Sequence, residues 1–502
     1  MEKYVIGIDN GGTGTKAAVF DLKGNEIARF GRQTRAIIPR PGYTERDMEE
    51  LWQANCSCIK GAVDKSGVDP RHIIGVAVAG HGKGLYPWGR NQKPAYNGIV
   101  STDSRAWQFP EKWYREGIAQ KLYPKLCQQL IPCQQAALLA WMKEHEPDTY
   151  DRIQWAFSVK DYIRFRLTGE AFCEVTDISG SGLMNIVEKR FERDLLEQLG
   201  IGEVYEKLAP LKYSYEYCGS VTPEAAGLTG LKAGTPVAGG MFDIDACAVA
   251  MDVTDPEQLC TIAGTWSINE YISKEPVTDG SVAMNSLFAV PGYFLVEECS
   301  ATSAGNLDWF VQNLMSRCTV PPGKSIYQAA DGLVAEVEPA QCEVYFLPFI
   351  YGSNSHPLGK GSFIGLTAYH GLSHLLRAVY EGVVYSHKTH IDRLLASREP
   401  PKAVRMAGGA VNSPLWVQMF ADVLGFPVET VHTKELGALG AAMAAAVAAG
   451  EFTDYNQAAK AMVHIRGRVE PNMEKTGIYQ KKYQKYTAVR KALDGVWQLF
   501  QV

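Results

Sequence analysis

No stretch of this sequence is long and apolar enough to read as a membrane span. The blandest run, Ala438 to Ala449, is Ala-rich and falls short of the roughly 20 residues a spanning helix needs. It reads instead as a helix packed closely inside the protein. No block of Lys and Arg stands out either, and the net charge of −5 argues against a nucleic-acid partner. The 11 cysteines are scattered and odd in number, so they do not form a disulfide framework. Only Cys56 and Cys58 lie close together, at the wrong spacing for a zinc knuckle. Reduced thiols, and an N-terminus entering a strand with no leader pattern, lead us to expect a cytoplasmic protein without membrane partners. A Walker loop is missing too. Gly323-Lys324-Ser325 has the tail of one, but Cys318 stands where its first glycine belongs.

A chain of 502 residues suggests roughly two to four domains with ample core. The most informative stretch is the first. Val5 to Asp9 is apolar and ends in a carboxylate, Asn10-Gly11-Gly12-Thr13-Gly14-Thr15 is a turn, and Lys16 to Asp21 is apolar again. Glycines let backbone N–H groups converge on an anion, and Thr13, Thr15 and Lys16 add donors and charge. Three readings fit: a metal-phosphate site with Asp9 beside the cation, a plain hairpin, or a dinucleotide fingerprint. The last requires a helix next, whereas Lys23-Gly24-Asn25 turns the chain into another strand, Glu26 to Phe30.

Farther along, Pro39 to Asp47 reads as a loop and Met48 to Lys65 as an amphipathic helix. Ile73 to Ala79 is a buried strand ending in Gly80-His81-Gly82-Lys83-Gly84, and polar residues where such a strand stops mark a candidate site. His81 and Lys83 contact substrate on that reading; a structural histidine and a solvated turn are the alternative. Ile99 to Ala106 reads as a strand ending in charge, with Asp103 and Arg105 either a salt-bridged turn or a hydroxyl acceptor and its clamp. Val159 to Thr168 is a helix stopped by Gly169, and Thr176 to Gly182 a polar loop. Then Pro236 to Ala248 breaks at two glycines, presents Asp243 and Asp245, and enters an Ala-rich helix. A carboxylate there is either a cap or a general base held by a fixed element.

Half a chain later the opening pattern returns. Leu259 to Ala263, Gly264-Thr265, then Ser267 to Ile272 is again strand, Gly-Thr turn, strand. The repeat suggests a duplicated architecture with ligand between the halves. Ser303 to Phe310 reads as a capped helix start, and Leu372 to Leu395 as a long helix whose His387 and His390 are structural. Ala403 to Ala410 is a strand meeting a Gly turn, and Tyr479 to Phe500 a Lys-bearing outer helix.

These pieces resemble the FGGY carbohydrate kinases of the actin-like ATPase superfamily over essentially the whole length. The residues that carry the resemblance are Gly361-x-Phe363-x-Gly365-Leu366 with His374-Leu375-x-x-Ala378-Val379-Tyr380-Glu381, Asp103-Ser104-Arg105-Ala106, Lys160-Asp161-Tyr162, and Gly408-Gly409-Ala410-x-Asn412-x-x-Leu415-Trp416-x-Gln418. Leu138 departs from the family's usual lysine, and Gly352-Ser353-Asn354-Ser355 from its Gly-Glu-Arg. Gly82-Lys83-Gly84-Leu85, Phe242-Asp243 and Phe346 to Asn354 are most similar to the bacterial L-xylulose kinase subgroup.

The resemblance implies an α/β fold: two actin-like, RNase H-like lobes with mixed sheets flanked by helices and an active-site cleft between them. Residues 1–246 would form the sugar- and phosphate-binding lobe and 247–502 the nucleotide-binding lobe. It implies ATP and Mg2+ as cofactors, a sugar as the small-molecule partner, and phosphoryl transfer to a hydroxyl, and it leaves a homodimer open. Asp9 would sit near Mg2+, through water, with Gly11, Gly12, Thr13, Gly14, Thr15, Lys16, Gly264 and Thr265 around the phosphates. Gly408, Gly409, Ala410, Asn412 and Gly437 would surround the adenosine. His81, Lys83, Asp103, Arg105 and Asp245 would face the sugar, with Asp243 as the base. Another pentulose, 3-keto-L-gulonate or a polyol such as erythritol is the alternative acceptor; an actin-like ATPase without a sugar substrate is the rival class.

Overall fold

The computed structural model describes residues 2–353, 355–396 and 398–500, so Asn354 of the Gly352–Ser355 motif lies outside the described residues. The chain forms two compact units, each discontinuous in sequence. The first takes residues up to Thr254 together with Ile272–Val296 and Thr433–His464; the second takes Asp255–Tyr271, Glu297–His432 and Ile465–Val502. A reading by continuous stretches divides the chain once, near 246. The observed units instead interleave, because the Ala-rich helix Leu436–Ala448 lies against the opening strand Tyr4–Asn10.

In the first unit the sheet runs Tyr217–Ser220, Pro236–Ala238, Ile73–Gly80, Tyr4–Asn10, Gly14–Asp21, Glu26–Gln33, and Met241–Phe242 also pairs with Ile73–Gly80. The opening hairpin is antiparallel, with Asp9 opposite Lys16 and Asn10 opposite Thr15. Tyr4–Asn10 is parallel to Ile73–Gly80. Helix Met48–Ser66 starts at Asp47, whose side chain accepts the Glu50 N–H, and stops at Gly67 with φ 65°. Its apolar face, including Leu51, Trp52, Ile59 and Val63, is buried.

Small residues set how closely the Ala-rich helix approaches. A Cβ on Gly7 would lie 1.7 Å from the Ala438 carbonyl oxygen, and one on Gly440 would lie 2.2 Å from that of Ala246. The run from Leu436 to Ala446 is buried throughout, which explains a sequence so poor in polar residues.

The second unit repeats the theme. The second seven-stranded sheet follows the order Met284–Leu287, Phe294–Ser300, Ser267–Ser273, Gln258–Ala263, Ala403–Ala407, Val428–Val431, Ile465–Val469. Gln258–Ala263 and Ser267–Ser273 form the second antiparallel hairpin, and Gln258–Ala263 is parallel to Ala403–Ala407. The chain is thus an α/β fold with two mixed sheets flanked by helices.

Four local expectations change. The strand expected over Ile99 to Ala106 shortens to Gly98–Ile99. Helix Gly305–Leu314 has no side-chain cap, because the Ser303 hydroxyl bonds His387 Nε2 at 2.7 Å instead. The polar stretch after Cys173 holds a short buried helix, Val175–Ile178. The last long helix runs Met473–Ala492 and buries Tyr479, Lys482 and Tyr486, so it is only partly an outer face. All 11 cysteines are free thiols, and no described helix is long and apolar enough to cross a membrane.

Candidate active site

Three parallel strands of the first unit end side by side. Asn10 and Phe242 both register with Gly80 of Ile73–Gly80. The segments that leave those strands therefore emerge together: the glycine turn, the loop His81 to Gly84, and the helix Asp243–Ala250. The His81 N–H ties two of them by donating to the Asn10 carbonyl at 3.0 Å. In sheets of this kind the carboxyl ends of the strands are where ligands bind.

The turn is shaped from beneath. Gly14 has no room for a Cβ, which would meet the Arg32 carbonyl oxygen at 2.6 Å, whereas Gly12 has nothing within 4 Å on that side. Arg46 is buried and donates to the Gly11 carbonyl at 3.3 Å and to the Gly12 carbonyl. In a trans peptide the N–H opposes the C=O. Holding these two carbonyls therefore turns the Gly12 and Thr13 N–H groups away from Arg46.

Thr13 is exposed, and its carbonyl accepts the Thr34 N–H at 3.2 Å. The Thr15 hydroxyl does not face outward; it is buried and bonds Asn55 Oδ1 at 3.1 Å, and Asn55 exchanges amide bonds with Asn10. Lys16 pairs with Glu435 at 3.2 Å.

Desolvation pushes the Asp9 carboxyl up to about 6, against the pull of Lys16. Gly437 lies against this carboxylate: a Cβ there would sit 2.7 Å from Asp9 Oδ2.

Asp243 is the first residue of its helix and partly exposed. Its carboxyl is held well above the usual range by burial, then by the charges of Asp9 and Asp177, with Lys83 opposing. Lys83 has φ 64°; its N–H meets Asp177 Oδ1 at 3.3 Å and its ammonium lies 5.4 Å from the centre of the Phe242 ring.

His81 is buried between Tyr86 and the Gly82 carbonyl, at 2.9 and 3.3 Å. Burial, reinforced by Arg46, lowers it to about 4, so the ring is neutral at pH 7. With a carbonyl on Nδ1, the proton sits there and Nε2 accepts from Tyr86. Both ring nitrogens thus have protein partners.

Asp103 grips Arg105 with both oxygens, at 2.8 to 3.1 Å, and accepts the Thr44 N–H at 2.7 Å. Arg105 also pairs with Glu45 at 2.7 Å and lies over the Tyr43 and Trp141 rings. Its Nη1 is buried and makes no hydrogen bond. Asp245 is buried and accepts the Ala289 N–H at 2.9 Å, which turns it to the interior.

The second unit carries a cavity of about 620 Å3. Gly264, Thr265, Gly409 and Asn412 line it, together with Tyr380 and Trp416. Gly408, at φ 93°, admits the close pass of the Ala263 carbonyl, which a Cβ would meet at 2.4 Å. Ala410 is buried and does not line the cavity. Asp331 fixes two wall residues by accepting from Tyr380 at 2.8 Å and Ser413 at 2.7 Å. His387 is placed among Ser267, Ser303 and Asn269, and burial pushes it down to about 3.

The N-terminal domain of the FGGY family of carbohydrate kinases matches residues 4–250 and its C-terminal domain matches 259–449. The chain belongs to the FGGY family of carbohydrate kinases. An L-xylulose/3-keto-L-gulonate kinase of Escherichia coli is 38% identical over 497 residues, covering 99% of this chain and 98% of that one. A xylulose kinase structure from Rhodospirillum rubrum matches at 26% identity with TM-score 0.90, covering 99% and 100%. A gluconate kinase from Lactobacillus acidophilus shares the fold at TM-score 0.91 and 23% identity, covering both chains completely. The protein is thus a sugar phosphotransferase, and membership in a kinase family implies use of ATP. A non-sugar ATPase is set aside.

Nothing in the local sequence marks Arg46, Asp177 or Asp331. For Arg46 the consequence is measurable. Replacing it with methionine frees the Gly11 and Gly12 carbonyls, and a charged hydrogen bond is worth about 1.5–3 kcal/mol. We expect the KM for ATP to rise roughly ten- to a hundredfold while sugar affinity holds, as read from initial rates against each substrate.

Proposed function

We propose that the enzyme transfers the γ-phosphate of ATP to a hydroxyl of a small ketose, L-xylulose first and 3-keto-L-gulonate second. The observation that carries this reading is the convergence of the glycine turn and Asp243 at the carboxyl ends of neighbouring strands of the first sheet. Asp243 is the group we assign as general base. It takes the proton of the attacking hydroxyl as the oxygen bonds to phosphorus and the bond to the leaving ADP oxygen breaks. The outward Gly12 and Thr13 N–H groups suit phosphate oxygens, and the cavity at Gly409 and Trp416 suits the adenosine.

After burial, the charge of Asp9 raises the Asp243 carboxyl, which is the chemistry of a donor set that gains from a hard cation. Among the described residues no group of three or more ligating side chains could cage a metal, so Asp9 would hold Mg2+ through water and the nucleotide's phosphates. When bound, the ion neutralises charge on the transferring phosphoryl group. The L-xylulose reading draws on the full-length similarity to the enterobacterial kinase. ADP release across L-xylulose, D-xylulose, L-ribulose, 3-keto-L-gulonate and erythritol, with product position read by NMR, tests it. Turnover of none of the five would end it.

A further inference from the structure

Beside Asp243 stands a second carboxylate that the proposed chemistry does not use. Asp177 lies on the short helix Val175–Ile178 and is buried. Two contacts fix it alongside Asp243. Its Oδ1 accepts the Lys83 N–H at 3.3 Å, and the Thr176 hydroxyl before it accepts the Phe242 N–H at 2.9 Å. Thr176-Asp177 and Phe242-Asp243 are thereby held next to each other, with the Lys83 loop against both.

The other oxygen of Asp177 is the telling one. Oδ2 is buried and makes no hydrogen bond. Its nearest cation, Lys160, stands off at 3.9 Å because it is engaged more closely by Asp161 at 2.9 Å and Glu174 at 3.1 Å. Arg164 adds a second cation, but it pairs with Asp161 at 2.8 Å. Asp177 is therefore the surplus carboxylate of this network. A buried acceptor without a donor is costly, and a ligand hydroxyl is the group that would relieve it. Desolvation pushes its carboxyl up to about 7, with the Lys160 charge and the Ser158 hydroxyl only partly opposing the rise.

We propose that Asp177 is a specificity residue of the sugar site, its Oδ2 accepting a hydrogen bond from a second hydroxyl of the acceptor besides the one that Asp243 faces. This rests on the sugar-kinase reading and adds a requirement to it: the substrate carries at least two hydroxyls, one for each carboxylate. A site built to bond a hydroxyl discriminates strongly against an analogue lacking it, because the buried partner is then left alone.

The test compares the wild-type enzyme with Asp177→Asn on the best sugar of the panel and on its mono-deoxy analogues. Wild type is expected to lose at least tenfold in kcat/KM on one analogue besides that lacking the phosphorylated hydroxyl. In Asp177→Asn that penalty shrinks below threefold, sugar KM rises at least tenfold, and KM for ATP stays within twofold. Should the asparagine variant not fold, Asp177→Glu keeps the charge and displaces it by a methylene; it is expected to melt like wild type and still raise sugar KM tenfold. An unchanged deoxy penalty overturns the proposal. So does a uniform loss of folding, ATP binding and turnover in both variants, which would make Asp177 a strut of the Lys160 network. Wild type that phosphorylates no sugar at all fails the kinase reading instead, before any variant is compared.

Discussion

Asp243→Asn is expected to leave ATP binding nearly intact and to lower kcat for sugar phosphorylation by roughly a hundred- to ten-thousand-fold. Asparagine keeps the shape and can still orient a hydroxyl, but it cannot take its proton. Phosphoryl transfer asks little covalent help of a protein, so positioning and charge neutralisation remain in the variant. Proton removal is the component it lacks. Coupled ADP release measures turnover, and a nucleotide titration by tryptophan fluorescence measures binding. Near-wild-type turnover would remove Asp243 as base.

The same carboxyl sets a pH dependence. Burial, followed by the charges of Asp9 and Asp177, raises it well above an ordinary carboxylate. A base works only when ionised, so kcat/KM for sugar should fall as pH drops through that raised value, on a limb well above pH 4. Lys83 is the cation that opposes the rise. Lys83→Gln removes that stabilisation of the ionised form, so the limb should move to higher pH. A limb that stays put, or moves down, would mean that Lys83 does not act on the base.

What could be read from the residues was whatever they encode locally. Both hairpins follow from apolar strands around Gly-Thr turns, and Asp243 stands out because two glycines precede a carboxylate at a helix start. What could not be read depends on distant segments. Arg46 is one arginine in a loop until the fold carries it beneath Gly11 and Gly12. Asp177 sits in a stretch polar enough to read as a loop, and its burial comes from Lys160 and the Lys83 loop closing over it. The cavity wall gathers from segments as far apart as Gly264 and Trp416. Gly437, placed by resemblance near the adenosine, packs on Asp9 because its helix crosses back onto the first sheet.

That crossing makes Gly7→Ala the most disruptive small change expected in the first unit. The added methyl would meet the Ala438 carbonyl oxygen at 1.7 Å and the Ala442 nitrogen at 2.9 Å, both backbone atoms that no rotamer change can move. The helix must shift, and overpacking of this kind costs about 1–3 kcal/mol or more. The midpoint shift per kcal/mol shrinks with size, so this large unit should lose roughly 2 °C or less per kcal/mol. The shift would also drag Gly437 away from Asp9, so ATP affinity should fall with stability. Gly12→Ala supplies the contrast. A Cβ there meets nothing within 4 Å, so the protein keeps its melting midpoint while the methyl sits where the turn is open to ligand. ATP affinity should fall in both variants and the midpoint in Gly7→Ala alone. Equal midpoints for the two would mean that the helix does not depend on Gly7 for its seat.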